Sequence, residues 1–161
     1  MMSHWTNVKT TFEALSYLVK EMSPDGITLN FTIDCTTRRC KDTKDLLKVL
    51  KDKKLEMGQT DISRRLKIDL DRYRLEYCQN LTAKSKGSKK KRPMNIYVLT
   101  NGDWNLKPEH DLIGLINGYI DWLTELKLKP EQCGIQFISF GEDPKCQQRL
   151  NDLVSKSNLR W

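Results

Sequence analysis

The chain has 161 residues, 38% of them hydrophobic and 30% charged, with a formal net charge of +7. That length suffices for one domain with a buried core, and no stretch approaches the roughly 20 apolar residues that a membrane helix takes. Much of the cationic excess sits between Lys84 and Pro93, which argues against a basic surface spread over the whole protein.

Met1-Met2-Ser3-His4-Trp5 runs straight into amphipathic sequence, and no signal-peptide pattern is read there. Trp5, Val8, Phe12, Leu15, Val19 and Met22 recur at spacings of three and four, the mark of one helix face. Ser23-Pro24-Asp25-Gly26 breaks that helix. Residues 27–33 alternate apolar with polar and predict a strand. Asp34 to Asp42 is polar and reads as a loop or a short edge strand. Asp42 or Thr43 then caps a helix carrying Leu46, Leu47, Val49 and Leu50.

Met57 to Asp61 interrupts. Ile62, Leu66, Leu70, Tyr73, Tyr77 and Leu81 mark a long helix with Thr60 or Asp61 as its N-cap. The basic segment follows and leads into an apolar strand at 95–100. Leu112, Leu115, Ile116, Tyr119, Leu123 and Leu126 share a helical face between His110 and Leu128. Cys133 to Phe140 reads as another strand, Gly141 turns it, and Pro144 starts a last helix with Leu150, Leu153 and Val154 inward. Strands alternating with helices predict an α/β layer fold, one domain over 1–161, with a largely parallel sheet.

Five cysteines stand at 35, 40, 78, 133 and 146, with no CxxC pair and no His-x3-5-His. We read free structural thiols in a reducing compartment; Cys35 and Cys40 lack the second pair that a zinc site needs. Phosphate loops, GxSxG and HExxH are absent from the sequence. His4 and His110 are solitary in the sequence, and nothing around Cys78 marks it as a nucleophile.

Two polar stops are informative: "GQTD" at Gly58–Asp61 and "LTNGDW" at Leu99–Trp104. In an open α/β sheet, ligands sit beyond the carboxyl ends of the strands. Thr60, Asn101 and Asp103 could offer hard oxygens there to Mg²⁺. The simpler alternative is that Thr60 or Asp61 caps a helix and that Asn101-Gly102 makes a turn with positive φ.

Taken in order, "SHWTNVKTTFEALSYLVKEM", "DGITLNFT", "GQTDI", "NIYVLTNGDW" and "CGIQFISFGED" resemble a von Willebrand factor type A domain of the kind found in fungal intracellular proteins. The resemblance spans nearly the whole chain. It implies a Rossmann-like three-layer sandwich, a mainly parallel sheet flanked by helices, with a metal-ion-dependent adhesion site at its carboxyl edge. In that site Thr60 matches the threonine of the second loop, and Asn101 matches the aspartate of the third.

Two departures follow. The family's first strand and its Asp-x-Ser-x-Ser loop should precede the first helix, where this sequence has only "MMSHW". The third-loop carboxylate is the neutral amide of Asn101, with Asp103 the nearby carboxylate. The site is therefore expected to be a degenerate remnant; no cofactor is expected, and Mg²⁺ only if the missing upstream loop is present. The sequence is read as an N-terminally incomplete domain starting at an internal methionine. The first, central strand is missing from this reading. The strands at 27–33 and 95–100 are then expected to pair directly, to leave a gap, or to take up a strand from another chain.

The segment 84–93 reads as a basic surface loop. Lys89, Lys90, Lys91 and Arg92 are candidates for a localisation signal or a nucleic-acid contact, but no aromatic residue interleaves them. The expected function is a non-enzymatic protein–protein interaction module, cytoplasmic or nuclear. Its partner face is formed by Thr60, Asp61, Asn101, Asp103 and Trp104. The alternative is a nucleic-acid-associated protein using the basic loop. A membrane partner is not expected.

Overall fold

The computed structural model describes residues 4–20, 23, 25–33, 36–54, 60–82, 91–104 and 111–157. The chain is mixed α/β. Where the sequence reading treats 1–161 as one domain, the residues gather into two compact units, Met1–Thr60 and Asp61–Trp161.

The first unit holds α1 (Trp5–Lys20), β1 (Ile27–Asn30), β2 (Thr37–Cys40) and α2 (Thr43–Asp52). The polar stretch after β1 does contain the short strand. β1 and β2 pair antiparallel, Ile27 opposite Cys40 and Asn30 opposite Thr37. This corrects the expectation of a largely parallel sheet. A parallel return needs a crossover of a dozen or more residues, and only 31–36 separate the two strands. The predicted strand 27–33 ends at Asn30 because Phe31 donates its N–H to the Thr36 carbonyl at 3.2 Å, closing the hairpin.

Gly26 precedes β1 at φ +91, and a Cβ there would stand 2.5 Å from the Cys40 carbonyl oxygen, so only glycine fits. Asp42 caps α2, its carboxylate accepting from the Asp45 N–H at 2.8 Å. Leu46 and Leu50 are buried in this unit, as is Val8 of α1.

The second unit holds α3 (Ile62–Thr82), β3 (Met94–Thr100), α4 (Leu112–Glu125), a 3-10 turn at Pro130–Gln132, β4 (Cys133–Ser139) and α5 (Pro144–Lys156). β3 and β4 pair in parallel over their whole length, Met94 opposite Cys133 and Thr100 opposite Ser139. Each described strand thus finds its partner inside its own unit, and direct pairing of 27–33 with 95–100 is replaced by these two ladders.

One face of β3 and β4, carrying Ile96, Val98, Ile135 and Phe137, packs with Leu66, Leu70, Tyr73 and Tyr77 of α3 and Ile116, Tyr119 and Trp122 of α4. Tyr77 meets Trp122 edge-on, with centroids 5.9 Å apart and planes at 88°. Such edge-to-face pairs contribute about 1 kcal/mol beyond area burial.

Helix starts follow the sequence. Asp61 accepts from the Arg64 N–H at 2.9 Å, Asp111 from Gly114 at 2.9 Å, and Asp143 from Lys145 at 2.8 Å with Pro144 in the first turn. Three apolar residues assigned inward lie outside the core: Leu81, Leu126 and Val154 are 49%, 38% and 41% exposed. Leu81 stands in the last turn of α3 and Leu126 just past α4, where the helix no longer faces its neighbours. Val154 turns away because Leu153, next to it, takes the inward position. Among the described residues no helix is long and apolar enough to cross a membrane.

Candidate functional site

The carboxyl ends of β3 and β4 are aligned by one bond. The Phe140 N–H donates to the Thr100 carbonyl at 2.8 Å, extending the parallel ladder into the two loops that follow. Beyond Thr100 the chain turns at once. The Gly102 N–H donates to the Thr100 hydroxyl at 3.0 Å, and the Asp103 N–H donates to the Asn101 side-chain oxygen at 3.3 Å. Gly102 has φ +77, as the Asn-Gly pair predicts. A Cβ on it would lie 2.8 Å from both the Cys146 Cβ and the Cys146 carbonyl oxygen, so the turn rests directly on the first turns of α5.

From α5, Arg149 reaches across. Its Nη1 donates to the Gly102 carbonyl at 3.2 Å and stands 3.8 Å from the Asp103 carboxylate. Gly141, at φ +104, turns the chain after β4 and brings Asp143 to the start of α5. The result is a loop pair with one carboxylate and one guanidinium side by side, the Asp103 side chain 76% exposed and that of Arg149 30% exposed.

The predicted site residues fall out as follows. Asn101 and Asp103 are brought together, half-exposed and exposed respectively. Thr60 belongs to the first unit, and Asp61 belongs to the second as the cap of α3. Trp104 does not line this face: it is only 8% exposed and packs on Phe137, with ring centroids 6.5 Å apart. A large apolar ring next to a buried strand end gains more from the core than from water. Lys89 and Lys90 lie outside the described residues, as do Cys35 and His110.

Among the described residues, the strand-end oxygens that a Mg²⁺ would need are already engaged within the protein. That ion asks for several hard oxygens in a near-octahedral array. Here the Thr100 hydroxyl and the Asn101 amide oxygen each accept from the turn's own backbone, and the neighbouring Gly102 carbonyl and Asp103 carboxylate face a guanidinium that already supplies positive charge. Among the described residues, no group of three or more His, Cys, Asp or Glu is placed to hold a metal ion.

Two features were missed by the sequence reading. Arg149 is the first; nothing in its local pattern separates it from a solvated helical arginine. The second is a buried polar network around Tyr73. Its hydroxyl donates to the Arg92 carbonyl at 2.8 Å and accepts from Gln132 Nε2 at 2.5 Å, while Gln132 Nε2 also faces the Lys91 carbonyl at 3.3 Å. Lys91 pairs with Glu76, and its ammonium lies 5.5 Å from the Tyr73 ring centroid. The end of the basic segment is therefore tied to α3, and the charge of Lys91 is neutralised there.

Three of the described thiols are held in their protonated form. Burial pushes Cys133 up to about 11, and burial also raises Cys40 and Cys146, with nearby aspartates adding to it. A raised thiol is a poor source of thiolate. The buried Tyr119 hydroxyl lies beside the Cys133 thiol, with which it interacts, and its own titration is pushed up first by burial and then by that thiol.

No protein-family model matches the chain, and neither does any curated protein or any solved structure.

Proposed function

We propose that this chain is a non-catalytic protein-binding module of the von Willebrand factor type A kind, Rossmann-like in plan, whose adhesion site works without a bound metal. The observation that carries the reading is the pair of aligned parallel strand ends. The loops after Thr100 and Ser139 sit side by side there, with Asn101 and Asp103 offered to solvent and Arg149 holding the turn from behind.

Open α/β sheets present ligands at this edge. The turn is held by its own hydrogen bonds, so a partner finds it already shaped and little ordering cost is left to offset. Partner contact then falls on Asn101, Asp103 and the exposed edge of Arg149.

The test is a binding comparison with charge-reversed variants. Asp103→Lys is expected to abolish capture of the partner that wild type retains. Glu131→Lys, in the exposed turn that precedes the opposite end of β4, is expected to leave capture intact. Equal retention by the Asp103 variant, or equal loss by the Glu131 variant, removes the strand-end face from the account.

A further inference from the structure

The first unit carries a second surface, distinct from the strand ends of the second. A cleft of about 360 Å³ opens between the last turns of α1 and the start of α2, lined by Tyr17, Lys20, Asp42, Thr43, Lys44 and Leu47. Its floor is tied together: the Thr43 hydroxyl donates to the Ser16 carbonyl at 3.5 Å, and the Ser16 hydroxyl donates to the Glu13 carbonyl at 2.7 Å. Both Ser16 and Thr43 are buried. Above this floor, Tyr17 is 60% exposed and Leu18 is 69% exposed.

Among the described lining residues the rim carries two lysines, Lys20 and Lys44, against one carboxylate, Asp42. Asp42 is committed to α2, where its carboxylate accepts from the Asp45 N–H at 2.8 Å at the positive end of the helix. Lys20 and Lys44 are exposed and have no ion pair among the described residues. What remains on offer is an apolar wall with two uncommitted ammonium groups beside it.

We propose that this cleft docks an acidic peptide segment of a partner protein. An apolar side chain sits between Tyr17 and Leu47, and a neighbouring carboxylate meets Lys20 or Lys44. The cleft is near the small end of the ligand-pocket range of about 300–1,000 Å³, so it takes one or two side chains. Exposed tyrosine is enriched at such contacts because it supplies area at low entropic cost.

The experiment uses the full chain, labelled with nitrogen-15. It is titrated with an acetylated hexapeptide in which Asp and Glu flank Phe and Leu, and with the same peptide carrying Lys for each acid. The acidic peptide is expected to move the amide signals of Tyr17, Lys20, Thr43, Lys44 and Leu47, and the lysine peptide to move none. Lys20→Glu with Lys44→Glu is expected to weaken binding about tenfold, and the milder Lys20→Ala with Lys44→Ala about threefold. Lys129→Glu, an exposed charge reversal on the other unit, leaves it unchanged. The proposal is overturned by absent shifts, by equal binding of the lysine peptide, or by unchanged affinity in both lysine pairs. It is also overturned by phenylpropionate binding as tightly as the peptide, which would make the cleft a small-molecule site.

Discussion

Arg149 stands 3.8 Å from the Asp103 carboxylate while donating to the Gly102 carbonyl one residue earlier. A guanidinium thus closes the loop that follows β3. The bond to the carbonyl is the useful part, about 1 kcal/mol net. The ion pair adds little, because the Asp103 side chain is 76% exposed and water screens it. Arg149→Gln is expected to lower the unfolding free energy by about 1 kcal/mol in urea. Wild type should unfold at the same midpoint in Mg²⁺ or in EDTA. A site filled a hundredfold above its Kd would instead add about 2.7 kcal/mol, and a gain of that size in Mg²⁺ would count against the account.

The turn before Arg149 allows only glycine. Gly102→Ala combines φ +77 with a Cβ 2.8 Å from the Cys146 carbonyl oxygen, a backbone atom that cannot step aside. The expected loss is about 2–3 kcal/mol. Adding Cys146→Gly, which removes that side chain's Cβ, should restore little of it, since the carbonyl remains. Urea denaturation of the single and double variants measures this, and full rescue would show that the Cys146 side chain was the obstacle.

The network of Tyr73, Gln132 and the Lys91 and Arg92 carbonyls fixes where the basic segment enters β3. Tyr73→Phe leaves these buried groups short of a partner, at a cost of about 1–3 kcal/mol. Gln132→Ala should cost a similar amount, and the double variant clearly less than the sum, because both remove the same bonds. Strict additivity in a double-mutant cycle would mean that the network does not act as a unit.

Burial raises Cys133 from the ordinary 9.0 to about 11, so the folded thiol keeps its proton where the unfolded one loses it. The folded state binds more protons in that window, and stability is complete below pH 9 and falls as pH rises from 9 towards 11. The contribution is on the order of 2 kcal/mol. Between pH 8 and pH 10, wild type should lose more stability than Cys133→Ala. Equal losses would show that another group carries the alkaline sensitivity. Exposed Cys78 should also react with iodoacetamide well before Cys133 does.

Much of this architecture is readable along the chain. The helical spacing of Ile62, Leu66, Leu70, Tyr73 and Tyr77 places them on the buried face of α3, and of the paired cap candidates it is Asp42 and Asp61 that accept from the helix N–H groups. Asn101-Gly102 announces its turn. The antiparallel β1–β2 pairing was also implicit, in a connection too short for a crossover, but helix–strand alternation outweighed it. Long-range contacts were not legible. Arg149 meets Gly102 across 47 residues and Gln132 meets Tyr73 across 59, and no local periodicity encodes either. Nothing local in the sequence separates Trp104 from the exposed residues before it; packing on Phe137 decides its place.

The most direct test of the strand-end face is site-specific photo-crosslinking in excess EDTA. Benzoylphenylalanine is placed at position 103, and at position 131 as the comparison. The account predicts a discrete partner adduct from position 103, none from 131, and the same yield when Mg²⁺ replaces EDTA. An adduct that requires Mg²⁺, or one formed equally from both positions, would contradict it.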